Sequence, residues 1–105
     1  MGSARPRPKR LAEKLLEIRL RIDGGISQNE LISRMNLNTD LVQDRISKYE
    51  RGVLEPPLEV LCAYADAANV YVEVIIKDEL DLPETLPGLQ KSEGIKVLSS
   101  KDRNR

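Results

Sequence analysis

Apolar residues recur at helical spacing along residues 11–69 and predict four helices. In the first helix they follow at steps of four, three and four, as Leu11, Leu15, Ile18 and Ile22, and Gly24-Gly25 ends this helix. Ser27 and Glu30 form a capping box, in which the Ser27 hydroxyl accepts from the Glu30 amide and the Glu30 side chain returns to the Ser27 amide. A second helix therefore starts here. Its inward residues are Leu31, Ile32 and Met35, and Asn36 tolerates the left-handed conformation that ends a helix.

Two further helices follow the second. Asn38 and Thr39 are candidate caps of a third helix, which Gly52 ends and whose predicted buried residues are Leu41, Val42, Ile46 and Tyr49. Pro56-Pro57 suits the opening of a fourth helix, which ends at Asn69. The buried face predicted for this helix is Leu58, Leu61, Cys62, Ala65 and Ala68. Cys62 is thus expected to be a core residue rather than a nucleophile.

The remaining segments are less regular. Residues 70–76 alternate β-branched side chains as a strand does, but their position after four helices favours a short closing helix. Residues 4–10 form a proline-interrupted basic run, which predicts a flexible arm. We therefore expect an all-α bundle of four to five helices in residues 11–77. It is flanked by the arm, residues 1–10, and by an acidic Leu/Pro segment in residues 78–105 that becomes a polar, mobile tail from Gln90.

Residue usage excludes several classes of function. One Cys and no His rule out a disulfide framework, zinc fingers with histidine ligands and histidine acid/base catalysis. The chain has no recognisable acid/base pair, metal cluster or phosphate-binding glycine loop, so we expect neither an enzyme nor a bound metal or cofactor. It also has no membrane-length apolar run and no signal peptide. These features predict a single-domain cytoplasmic protein.

The charges are segregated along the chain, although the formal net charge is zero. Residues 1–51 carry 11 Lys and Arg against 7 Asp and Glu, whereas residues 52–105 carry 6 against 10. Local potential, rather than total charge, governs association with a polyanion. A basic front half is therefore compatible with binding to nucleic acid phosphates.

Two strings in the chain carry a family resemblance. They are S-Q-N-E-L at residues 27–31 and I-S-K-Y-E-R-G at residues 46–52. Together, and at this spacing, they resemble the Cro/C1 (Xre-type) helix-turn-helix DNA-binding family over residues 11–77. The resemblance implies a phage-repressor-like bundle. It also implies a transcriptional repressor that binds a palindromic operator in double-stranded DNA as a homodimer, with the third helix in the major groove.

The resemblance assigns roles to matching positions. Gln28 is implied to contact a backbone phosphate, and Ser47 and Lys48 to contact phosphates or bases. Ile46 and Tyr49 are similar to the residues that hold the third helix on the core. Glu50 and Arg51 are expected to form a structural charge pair.

One departure from the family affects the base-reading residues. The family connection before I-S-K-Y-E is shorter by about one helical turn, so residues 38–42 look inserted, and they either lengthen the third helix or bulge the turn. Gln43 and Arg45 are the candidate base readers, because Gln binds adenine bidentately and Arg binds guanine likewise; Asp44 can accept from cytosine or repel a phosphate. Arg5 and Arg7 are candidate minor-groove contacts of the arm.

Two alternatives stay open. The first is an antitoxin that represses its own operon and holds a toxin through the acidic segment, residues 78–84. The second is a protein-interaction module with this fold and no DNA binding, since fold does not fix function.

Overall fold

The computed structural model of the chain describes residues 8–37 and 40–96. In this part of the chain the fold is mostly helical, as predicted, and it includes a small antiparallel sheet that the all-α prediction lacks. The elements, in chain order, are α1 Leu11–Arg21, a 3-10 turn Ile22–Gly24, α2 Gln28–Met35, α3 Gln43–Glu50, α4 Leu58–Ala68, α5 Val72–Ile76, β1 Leu80–Asp81 and β2 Ile95–Lys96. None of the described helices has the length and apolar character needed to span a bilayer.

Most helix ends lie where local chemistry predicts them. Asn36 ends α2 and Asn69 ends α4, both in the left-handed conformation, with φ of 51° and 58°. The Ser27 hydroxyl accepts from the Glu30 backbone N–H at 3.0 Å, so the N-terminal cap of α2 is confirmed. The second hydrogen bond of the predicted capping box, from the Ser27 amide to the Glu30 side chain, is wrong. The Glu30 carboxylate instead accepts from Arg34, one turn later, at 3.2 Å.

The start of α3 differs from the prediction. The N-cap position is Val42, whose side chain forms no capping hydrogen bond; the predicted caps Asn38 and Thr39 lie outside the described residues. Val42 is 52% exposed and Leu41 is half-buried, so the predicted buried face begins only at Ile46. The connection from α2 therefore runs over residues 36–42. The predicted insertion, residues 38–42, thus precedes α3, which begins only at Gln43.

The core is continuous across the helices. In α4 the buried residues are Val60, Leu61, Ala63, Tyr64, Ala65 and Ala68. This face turns Cys62 outward and leaves Leu58 68% exposed, so the prediction that both are buried is wrong. The helix contacts α1, α2 and α5, and two of its inward residues, Val60 and Tyr64, lie opposite Cys62 on the helix.

The closing helix is confirmed at Val72–Ile76, and a buried lysine stabilises its end. The Lys14 side chain from α1 is fully buried, and its Nζ donates to the carbonyl oxygens of Val74 at 2.8 Å and Lys77 at 2.7 Å. The last carbonyls of a helix have no N–H partner in the following turn, so the ammonium supplies a donor at the end of α5. Burial lowers the pKa of the Lys14 ammonium from its ordinary value.

Residues 78–96 form a segment that packs against the helices, which we call the C-terminal strap. It contributes Leu82 and Leu86 to the core, and β1 pairs with β2 within it. Ser92 forms a bridge to Val70, so a structureless tail from Gln90 is wrong for residues 90–96; residues 97–105 lie outside the described part. Both ends of α1 hold the strap: Arg10 donates to the Asp78 carbonyl oxygen at 2.7 Å, and Arg21 donates to the carbonyl oxygens of Pro83 and Glu84.

Candidate nucleic-acid interface

The third helix is anchored on the core by one face. Ile46 is 0% exposed and Tyr49 is 2% exposed, so the prediction that these two residues hold the helix is confirmed. The helix packs against α1 and α2. Its opposite side therefore faces solvent.

The outward side of α3 presents the predicted contact residues. Gln43, Asp44 and Arg45 are exposed, and Ser47 and Lys48 are half-buried. The charged side chains of this side are three cations and one anion: Arg45, Lys48, Arg51 and Asp44. The outward side of α4 contrasts with it, because there the exposed charged residues are Glu59 and Asp66. The charge segregation of the sequence is thus present at the level of single helix faces.

Two of these contact residues, Lys48 and Ser47, already have partners on α3 or at its C-cap. The Lys48 ammonium lies 3.1 Å from the Asp44 carboxylate, and the Arg51 Nε donates to the Ser47 hydroxyl at 3.2 Å. Exposed pairs of this kind contribute little to stability, typically about 0.3–0.5 kcal/mol on a helix. A phosphate oxygen can therefore replace Asp44 as the partner of Lys48 at small cost.

Gln28 is oriented by a buried network at the base of α3. Its Nε2 donates to Glu50 at 3.0 Å, and Glu50 also accepts from Arg19 of α1. A primary amide carries two N–H donors, so a second N–H of Gln28 remains for a phosphate at the start of α2. Backbone N–H groups at a helix N-terminus favour an anion there as well.

The sequence did not predict the partner of Glu50. The expected Glu50–Arg51 pair is wrong, because the guanidinium of Arg19 binds Glu50, with Nε–Oε2 at 2.6 Å and Nη2–Oε1 at 3.0 Å. The sequence did contain a signal for a buried partner of Glu50. Glu50 lies one turn after Ile46 and so shares its inward face, where a buried carboxylate requires a cation. Arg19 also donates to the Ile26 carbonyl oxygen at 2.9 Å, which ties the turn before α2 into the network.

The electrostatics of this pair follow from its burial. The side chains of Arg19 and Glu50 are 16% and 5% exposed. The hydrogen bond to Glu50 holds the pKa of the Arg19 guanidinium above its ordinary value. The network therefore joins α1, α2 and α3 as a charged contact that is shielded from solvent.

The arm is fixed to the fold at its root. The backbone N–H groups of Lys9 and Arg10 each donate to the Asp78 carboxylate at 3.0 Å, and the Arg10 side chain pairs with Asp81. Arg10 is therefore an internal ion-pair partner, and the prediction of an arm that reaches to residue 10 is corrected by this contact. The predicted arm contacts Arg5 and Arg7 lie outside the described residues.

No protein-family model, curated protein or solved structure matches this chain.

Proposed function

We propose that this chain is a sequence-specific, DNA-binding transcriptional regulator of the helix-turn-helix type, in which α3 enters the major groove. The observation that carries the proposal is the outward side of α3, where Gln43 and Arg45 are exposed beside a net positive charge. An α-helix fits the major groove, and Gln and Arg side chains have the donor and acceptor geometry to read adenine and guanine edges.

The surroundings of α3 support the same proposal. A helix that reads bases needs a fixed orientation, and the buried Arg19–Glu50 pair, with Ile46 and Tyr49, supplies it from beneath. Gln28 and the first turn of α2 are the proposed phosphate contacts, together with Ser47 and Lys48. Phosphate contacts set the register of the protein on the duplex, whereas base contacts set its specificity.

The connection between α2 and α3 is longer than in the simplest form of the motif. It spans residues 36–42, whereas a helix-turn-helix connection of three or four residues is usual. Because the additional residues precede Gln43, they affect the N-terminal end of α3, where base edges are normally read. Arg45, in the first turn of α3, is the proposed principal base reader because its guanidinium can bind a guanine edge bidentately.

We further propose that the regulator acts as a homodimeric repressor. A single helix-turn-helix covers few base pairs, and two copies related by a two-fold axis read two half-sites about one helical turn apart. Arg5 and Arg7 extend the proposed contact to the adjacent minor groove.

The antitoxin alternative finds less support in the strap. Two of its acids, Asp78 and Asp81, are engaged by Arg10, and its leucines Leu82 and Leu86 are buried in the chain's own core. A toxin would have to displace these contacts to use residues 78–84. We therefore prefer a regulator without this role for the strap.

The test is selection of duplexes bound by the full chain from a random DNA pool. We expect a palindromic motif with half-sites about 10 base pairs apart. If no motif is enriched at low salt, the protein-interaction module becomes the better account and the proposal fails.

A further inference from the structure

An exposed tyrosine marks a second surface, away from α2 and α3. Tyr49 and Tyr64 are buried, whereas Tyr71 is 44% exposed at the start of α5. Leu89 is fully exposed and Ile95 is 45% exposed on the adjoining strap. We call Tyr71, Glu73 and Glu93, which line one shallow cavity, the tyrosine patch.

The backbone that carries the tyrosine patch is held in place. The Tyr71 N–H donates to the Ser92 carbonyl oxygen, and the Ser92 N–H donates to the Asn69 carbonyl oxygen, both at 3.0 Å. The Asn69 side chain donates to the Gly88 carbonyl oxygen at 2.7 Å. These bonds fix residues 88–92 against the junction of α4 and α5, so the patch is a preorganised surface.

The charges around the patch define what it can bind. Tyr71, Glu73 and Glu93 line a shallow cavity of about 320 Å³. Across residues 8–37 and 40–96, neither of these two carboxylates has a cation within 4.0 Å. The Lys91 ammonium lies 4.8 Å from the centroid of the Tyr71 ring, so this ring face binds a cation, and a guanidinium that stacks on the same face has to displace Lys91. The stretch of chain that contains the patch is acidic in composition, since residues 52–96 carry 9 acids against 3 lysines.

We propose that the tyrosine patch docks an arginine-bearing segment of a partner protein. A guanidinium stacks on a tyrosine face and binds a carboxylate bidentately, so it satisfies Tyr71 and Glu73 or Glu93 together. The strap also exposes Leu89 and Ile95, and protein interfaces commonly place apolar residues near such an anchor. The partner and DNA use different elements of the fold, so this proposal does not depend on the proposed function.

The test uses a capped peptide, LRLRL, titrated into the isotope-labelled full chain and followed by NMR. We expect saturable shifts of the Tyr71, Glu73, Lys91 and Glu93 amides, weaker binding of LKLKL, and none of the uncharged LQLQL. Glu73→Gln/Glu93→Gln and, separately, Tyr71→Ala should each weaken LRLRL binding at least about fivefold. The matched control is Glu59→Gln/Asp66→Asn on the outward side of α4, which should leave binding unchanged.

Three results would overturn the proposal. The first is that the control variant Glu59→Gln/Asp66→Asn weakens LRLRL binding as much as the patch variants do. This would show that the peptide is attracted to any acidic surface. The second is binding of LRLRL that neither patch variant alters, with both variants folded. The third is a concentration-dependent shift of Tyr71 without peptide, which would assign the patch to a second copy of the chain. None of these results bears on DNA binding by α3.

Discussion

The Arg19 guanidinium of α1 holds both carboxylate oxygens of Glu50 in α3, with Nε–Oε2 at 2.6 Å and Nη2–Oε1 at 3.0 Å. Both side chains are largely removed from water. Loss of one partner therefore leaves the other charge buried without compensation, which costs about 3–5 kcal/mol in proteins. The pair lies beneath the surface proposed to read DNA, so the placement of that surface depends on it.

Glu50→Ala should lower the free energy of unfolding by about 3 kcal/mol for this reason. The control is Glu17→Ala, because Glu17 pairs with Arg21 one turn later at the surface of α1. Its loss should cost only about 0.5 kcal/mol. Urea unfolding of both variants gives the comparison, and similar losses would mean that the Arg19–Glu50 pair does not organise the helices.

Gly94→Ala should detach the C-terminal strap. A Cβ at Gly94 would lie 2.9 Å from Val74 Cγ2 and 3.0 Å from the Asp81 carbonyl oxygen, with φ at +85°. Gly24 is the matched control, since its φ is +82° and a Cβ there meets nothing within 4 Å. Both variants carry the left-handed strain of about 1–2 kcal/mol, and only Gly94→Ala adds the steric clash.

Hydrogen exchange of the strap amides distinguishes the two variants. In Gly94→Ala, the amides of residues 80–96 should exchange faster than in Gly24→Ala at matched conditions. Equal exchange would mean that the strap tolerates a side chain at this position and is not closely packed on α5.

Asp78→Asn should reduce the dependence of the unfolding free energy on pH in the acid range. The backbone N–H groups of Lys9 and Arg10 donate to Asp78 and hold the pKa of its carboxyl below the ordinary value. A lowered folded-state pKa stabilises the protein above the unfolded pKa of about 3.9, and this stability is lost as pH falls through the folded pKa. The difference between wild type and Asp78→Asn should thus be largest near pH 6 and should shrink towards about pH 3.

Unfolding free energies across this pH range measure the effect. Glu79→Gln, which removes an exposed neighbouring carboxylate, should keep the wild-type profile. A constant offset between wild type and Asp78→Asn at every pH would mean that the carboxylate charge is not what fixes the root of the arm.

Deletion of residues 1–7 should reduce the salt dependence of DNA binding without unfolding the protein. Each phosphate contact contributes about −0.9 to the slope of log affinity against log salt concentration, and Arg5 and Arg7 are two proposed contacts. The deletion leaves the Lys9, Arg10 and Asp78 contacts intact. Unchanged affinity and slope, measured by titration at several salt concentrations, would show that the arm does not contact DNA.

Local chemistry in the sequence was enough to predict much of the fold. The ends of α2 and α4 follow from Ser27, Asn36 and Asn69, whose preferences act within a few residues. The burial of Ile46 and Tyr49 follows from helical spacing. The predicted contact residues Gln43 and Arg45 lie on the exposed side of α3 for the same reason.

Contacts between residues distant in the sequence account for the errors. Arg19 and Glu50 are 31 positions apart, and Arg10 and Asp78, which are joined by hydrogen bonds, are 68 positions apart. No short sequence pattern contains either pair. Residues 90–96 look like a polar tail because backbone contacts hold them, through Ser92 and the β1–β2 pair, and the side-chain pattern does not show such contacts. Cys62 faces outward because Val60 and Tyr64, which the helical pattern left out of the buried face, take the inward side.

The most direct test of the central claim is a binding titration of Arg45→Ala on a selected duplex and on a scrambled one. If Arg45 reads a guanine in the major groove, its loss should cost about 1–3 kcal/mol on the selected duplex and much less on the scrambled one. Lys48→Ala should weaken both duplexes alike and reduce the salt slope by about one, and Lys77→Ala, outside α2 and α3, should change neither affinity. If Arg45→Ala and Lys48→Ala both bind like wild type while remaining folded, the outward side of α3 does not contact DNA and the proposed function is wrong.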